Sequence, residues 1–253
     1  MPLTLITGPA NAAKAGEVLE RLRLALPRDP VLVVPTSADA THYARELAGA
    51  GLVFGTEVTT FPYLMRDLAR AAGVRTRPLG RLARAQVVRA AVGDVELRAL
   101  AASARGPGFA EALGDLFAEL QRSLASPGRF GAAVRAWREA GTAPAHAGEL
   151  AALYSAYHER LQALEVVDAD GLVHLALNAA REAWDGRPLL WYGFDELLPT
   201  QLDFIESLVR GTDTEVTVAV TYEPGRAALA GSATTVELLK PLVGKSDGWS
   251  WRR

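Results

Sequence analysis

The sequence predicts an α/β protein, a parallel β-sheet interrupted by a large all-helical insertion, and three observations carry that prediction. Short apolar runs alternate with amphipathic helical stretches at both ends of the chain, the pattern of strand and helix in a parallel sheet. Between them, residues 78–184 lose their Val/Ile clusters and read as helix alone. The first apolar run leads through a glycine to a lysine at the head of a helix, with the spacing of a phosphate loop.

Taken in order, Leu3–Thr7 (LTLIT) is a short strand ending at Gly8-Pro9. Ala13–Leu26 follows as a helix, with Val18, Leu19, Leu22 and Leu26 on one face and Pro27 and Pro30 as stops. Val31–Val34 (VLVV) is continuously apolar, as suits a strand buried on both faces. Ala38–Ala48 reads as a helix capped by Thr36 or Ser37. Glu57–Thr60 reads as a strand, and Pro62–Ala72 as a helix closed by Gly73. Breaks at Gly106-Pro107-Gly108, Pro127-Gly128 and Gly141–Pro144 divide the helical stretch into four to six helices. Strand character returns at Leu189–Tyr192 (LLWY). A helix over Pro199–Val209 and a strand over Glu215–Val220 (EVTVAV) follow. The last residues, KSDGWSWRR, carry no domain-end signal, so the chain reads as a fragment.

Composition narrows the function classes. A chain of 253 residues, 49% hydrophobic, can bury a real core, and its mean hydropathy is +0.09. The absence of cysteine removes disulfides, thiolate metal sites and thiol nucleophiles, and fits the cytoplasm. The opening MPLTLITGPA has no basic segment before its apolar residues, and no run reaches membrane-spanning length, so neither a signal peptide nor a membrane partner is expected. The net charge is −2, yet residues 61–140 hold 13 Arg against 7 acidic residues, which permits one basic face on an acidic protein. Only three residues, Lys14, Lys240 and Lys245, are lysines.

Residues 8–15 read GPANAAKA. Gly8 and Lys14 stand at the spacing of G-x-x-x-x-G-K-[ST], and the loop residues Ala10, Asn11 and Ala12 would offer backbone N–H groups to an anion. Ala13 replaces the second glycine, and Ala15 replaces the hydroxyl that would hold Mg²⁺. At most weak ATP–Mg²⁺ binding is expected there. A tight strand-to-helix turn without any ligand explains the same residues equally well.

Later segments stand in an order that resembles superfamily 1 helicases of the UvrD type, and more closely the AddB-type subunits of helicase–nucleases. Val31–Gly49 looks like motif Ia, and Thr59–Gly73 looks like the T-F-H-S-L helix start, with Pro62 in place of His. Glu149–Ala176 resembles a Y-x-x-Y … D-x-x-D-L-L passage, matched by Tyr154, Tyr157, Asp168 and Leu172. Tyr192–Leu208 resembles the Walker B passage in its AddB form, G-F-x-x-x-x-P-x-Q. Aligned on Gln201, this passage puts Tyr192 and Gly193 where an active relative has its catalytic Asp and Glu. The alternative alignment keeps Asp195-Glu196 as that pair and breaks the spacing to Gln201. Thr221–Arg226 lacks the Asp and Gln of the family's next ATP-site segment.

The resemblance implies a P-loop NTPase (RecA-like) first domain over residues 1–77 and 185–253, with a helical insertion over 78–184. It implies single- or double-stranded DNA as ligand and an active helicase–nuclease subunit as partner, in double-strand-break repair. Thr36, Thr60 and Phe61 match positions that touch DNA in the family, and Arg81, Arg84 and Arg89 are candidate phosphate contacts from the insertion. With Ala15, Tyr192/Gly193 and Tyr222 all departing from the active pattern, no catalytic residue is assigned and hydrolysis is expected to be lost. Two alternatives stand beside this: an active ATPase with an unusual loop, and a scaffold that holds a partner without touching DNA. The four histidines show no ligand spacing, so no metal site is expected, and His158 and His174 read as helix-surface residues. Tyr154, Tyr157 and Trp191 read as core, and Asp168 with Asp170 as a turn and helix cap.

Overall fold

The computed structural model describes residues 3–49, 51 and 56–244, and the backbone of 250–251. In chain order its elements are β1 (Thr4–Gly8), α1 (Lys14–Ala25), β2 (Val31–Val34), α2 (Ser37–Gly49), β3 (Glu57–Thr60) and α3 (Phe61–Ala71). Then come α4 (Arg81–Gly93), α5 (Phe109–Arg122), α6 (Pro127–Glu139), α7 (Ala147–Ala163) and α8 (Ala169–Ala183). The chain closes through β4 (Leu189–Trp191), α9 (Pro199–Gly211), β5 (Val216–Thr221), α10 (Ala230–Leu239) and β6 (Ser250–Trp251). Contacts divide these into two units, one of residues Met1–Gly73 and Ala176–Arg253, the other of Val74–Leu175. No helix among the described residues is long and apolar enough to cross a membrane.

In the first unit the strands pair in parallel in the order β3-β2-β4-β5-β1, with the two-residue β6 beside β1. Val31 to Val34 and Leu189 and Trp191 are fully buried, which is why these runs carry no alternating polar residues. One face packs Ile6, Leu32, Val34, Leu190 and Ala219 against Val18, Leu19 and Leu22 of α1 and Leu47 of α2. On another side of the sheet, Trp191 meets Phe61 of α3, which in turn meets Phe204 of α9. Helix α2 starts where the sequence places it: Thr36 Oγ1 accepts from Asp39 N at 3.1 Å while Thr36 N donates to the Asp39 carboxylate. β6 was outside the sequence expectation, because a Ser-Trp pair is too short to show any period.

The second unit is helical. Its core gathers Val87, Val88, Leu113, Phe117, Leu153, Tyr154, Tyr157 and Leu161, with the Phe117 and Tyr157 rings stacked at 5.0 Å. Beside this core Asp168 is completely buried. Its carboxylate accepts from Tyr157 Oη at 2.6 Å, Gln121 Nε2 at 3.2 Å and Gly171 N at 2.7 Å, and Arg84 Nε stands 3.8 Å away. The Gly171 bond is a helix cap for α8, as the sequence suggests, but the same carboxylate also joins α4, α5 and α7. His158 and His174 differ from the surface reading. Half-buried His158 lies edge-on to Tyr154, and His174 Nε2 sits 2.9 Å from the Gln121 carbonyl, because α8 packs toward α5 here.

Two stability outcomes follow. Asp168→Ala leaves Arg84, Tyr157, Gln121 and the α8 N-terminus without their shared acceptor, and urea unfolding should show a loss of about 3–5 kcal/mol. Ala13, with φ +53°, sits in the left-handed region just before α1. Ala13→Gly relieves that strain, so the same measurement should show a gain of about 0.5–1 kcal/mol, opposite in sign to an ordinary Ala-to-Gly change at a helix start.

Candidate functional site

Because β1 to β5 run parallel, their C-terminal ends lie on one edge of the sheet, where open α/β sheets bind their ligands. The loops after β1, β2, β4 and β5 therefore come together there. Two backbone bonds tie them: Tyr222 N donates to Gly8 O at 3.0 Å, and Tyr192 N donates to Val33 O at 3.1 Å. Gly8, Thr36, Thr60, Tyr192, Gly193 and Tyr222 all belong to these strand ends.

The loop after Gly8 turns tightly. Ala12 N donates to Pro9 O at 3.3 Å, and both Asn11 and Ala13 have positive φ, at 64° and 53°. Ala10, Asn11 and Ala13 are exposed, and Ala12 and Ala15 half-buried. Lys14 folds back instead of extending: it is 8% exposed, and its Nζ donates to Pro9 O at 2.5 Å and Gly8 O at 3.2 Å. Burial lowers its pKa below the usual lysine value. The cavity at the loop holds about 180 Å³ and is lined by Thr7, Ala12, Ala13 and Lys14, with Glu17 and Glu20 also on its wall. Two carboxylates there oppose an anion, and the lysine that would attract one is engaged with carbonyl oxygens.

After β4, Gly193 turns the chain with φ +89°, and a Cβ there would stand 3.3 Å from Pro35 Cδ, so the position requires glycine. The Tyr192 ring is edge-on to Tyr43 at 5.6 Å, and burial with the neighbouring Tyr192 pushes the Tyr43 phenol up to about 12. Asp195 and Glu196 are exposed beyond the strand end. Their loop is bound to α10: Ser232 Oγ donates to the Asp195 carbonyl at 2.9 Å, and the Glu196 carboxylate lies against Gly231. Gln201 is buried in the first turn of α9, where its Oε1 accepts from Leu198 N at 2.8 Å, a capping role.

The other candidates separate clearly. Thr36 is exposed, with its hydroxyl held on Asp39 at 2.6 Å. Thr60 is buried as the residue before α3. Phe61 is 5% exposed, with its ring against Trp191 and Phe204, so in this conformation it offers no open face for stacking on a base. The exposed ring nearby is Tyr63, with the Arg66 guanidinium over it at 4.7 Å. In the helical unit Arg81 is exposed and paired to Glu111, while Arg84 is built into the Asp168 network through Tyr157 Oη and the Gly114 carbonyl. Arg89 is exposed and has no carboxylate partner among the described residues, as have Arg105 and Arg135. Sequence reasoning missed the Arg84 network because an Arg on a helix looks alike whether it faces water or a buried Asp. No group of three or more His, Asp or Glu residues able to hold a metal stands among the described residues.

A search of curated proteins gives no match. The family described as ADDB, N-terminal, matches residues 5–236, which take in both units and every strand-end loop described above. A match over nearly the whole length shows the family, and the chain belongs to the AddB N-terminal family.

Proposed function

We propose that this chain is a DNA-gripping, non-hydrolysing helicase-like module of an AddB-type subunit. In this reading it acts in double-strand-break repair in the cytoplasm, beside an active helicase–nuclease subunit. The sheet unit is then a P-loop NTPase domain of the RecA-like kind, over residues 1–77 and 185–253, with 78–184 as its helical insertion. Family membership and the parallel sheet with a strand–loop–helix at Gly8–Lys14 support that assignment.

One observation carries the loss of hydrolysis: Lys14 Nζ donates to the carbonyls of its own loop instead of facing the cavity. The residues around it do not fit Mg-ATP. Ala15 supplies no hydroxyl for the metal, and the β4 end supplies Tyr192 and Gly193 where a carboxylate is needed. Glu17 and Glu20 add negative charge to the cavity wall. What remains is a rigid parallel sheet with an exposed edge and a helical unit that carries unpaired arginines. Those arginines suit phosphates without reading sequence.

In differential scanning fluorimetry, millimolar Mg-ATP should leave the melting temperature unchanged, and no phosphate should be released in a coupled assay. A saturable upward shift that disappears in Lys14→Met would overturn this reading. The DNA half is tested separately. Binding to a single-stranded oligonucleotide should weaken steeply with salt, and Arg89→Glu with Arg135→Glu should lower the slope of log K against log salt by roughly one per lost phosphate contact. An unchanged affinity in that pair would favour a scaffold that touches no DNA.

A further inference from the structure

The helical unit holds a cavity that neither the phosphate loop nor the basic surface explains. It has a volume of about 460 Å³ and opens among α5, α7 and α8. Apolar side chains make most of its wall, among them Leu124, Leu161, Val166 and Leu175. Tyr154 and His158 add aromatic rings, and no Arg, Lys, Asp or Glu lines it. Such a wall disfavours a phosphate, a carboxylate or a cation.

Two buried polar atoms on this wall have no hydrogen-bond partner, Gln121 Oε1 and His158 Nε2. Gln121 is 2% exposed. Its amide orientation is fixed, because Nε2 donates to the Asp168 carboxylate, which can only accept; the free end is therefore the oxygen, an acceptor. His174 follows the same logic: its Nε2 faces the Gln121 carbonyl, so that nitrogen carries the proton and Nδ1 keeps its lone pair. Burial lowers the His158 pKa, so its ring is neutral near pH 7. An apolar cavity with a few convergent, unsatisfied polar atoms is the usual form of a small-molecule site.

We propose that this cavity binds an uncharged, planar nitrogen heterocycle of nucleobase size, whose N–H edge donates to Gln121 Oε1 while His158 Nε2 meets its remaining polar atom. An aliphatic occupant would leave Gln121 Oε1 unpaired, and an anion would find no cation on the wall. The same chemistry comes from two sources, a free nucleoside or an unstacked base of a single strand. The site stands apart from the phosphate loop and requires no nucleotide hydrolysis.

The test is calorimetric titration of the whole chain with each of the four deoxynucleosides, then with an oligonucleotide as competitor. At least one nucleoside should saturate a single site with a Kd of about 1 mM or tighter. His158→Phe keeps the ring and removes the nitrogen, and should weaken binding by roughly tenfold or more without lowering the melting temperature. Leu175→Trp, at a rim position 37% exposed, should block the cavity and leave the Asp168 network intact. Displacement by the oligonucleotide supports the site and assigns the ligand to a DNA base; saturable binding without displacement supports it and assigns a free nucleoside. No saturable binding by any nucleoside to the folded chain overturns the proposal, as does binding that both variants leave unchanged. If nucleosides fail while the oligonucleotide still binds with steep salt dependence, the DNA-gripping reading stands and this one alone falls.

Discussion

The constraint on which the sheet unit depends is that strands β1 to β5 run in one direction. A parallel strand cannot return through a hairpin, so the chain must cross back over the sheet after each strand, and covering segments bury the sheet on its faces. This is why Val31–Val34 and Leu189–Trp191 have no polar alternation, and why their side chains are nearly or wholly removed from water. The same direction rule collects the loops after the strands on one edge. The phosphate-type loop, the turn at Gly193 and the segment at Tyr222 are neighbours through that geometry, although up to 214 residues separate Gly8 from Tyr222.

The helical unit depends on a different interaction. Its apolar core is ordinary, but Asp168 lies beside it and is satisfied by groups from several helices. Arg84 joins through Tyr157, which gives this buried carboxylate a cation nearby. A network with this many partners holds its helices in one arrangement, since a shift of any helix strands a buried donor. Asp170, one turn residue further on, is also largely buried, and desolvation raises its pKa.

Much of the architecture was legible in the sequence. VLVV and EVTT keep their predicted ends, and the helix after Pro199 runs two residues past its expected end. Continuous apolar runs and Gly/Pro stops report local structure directly. The site was less legible. Gly8 and Lys14 show the spacing of an anion loop, but spacing says nothing about where an ammonium group points, and here it points at its own carbonyls. Phe61 and Arg84 show the same difficulty. A residue matched by position to a family contact is placed by its three-dimensional neighbours, and Trp191, Phe204, Tyr157 and Asp168 are distant in sequence. Gly193 was read as a lost carboxylate, whereas its positive φ and its approach to Pro35 are backbone requirements with no sequence period to announce them.

The pairing of β1 also bears on how the chain acquires its structure. Thr4 pairs with Thr217 and Gly8 with Thr221, so the first strand finds its principal neighbour only after the helical unit and β4 have been made. During synthesis an apolar strand from the N-terminus must wait, with both edges open, for a segment more than two hundred residues later. Contacts of such separation slow folding and leave strand edges exposed to other chains. The helical unit, whose contacts are far more local in sequence, is therefore the part able to form first, and the sheet closes around a chain already interrupted by a folded body.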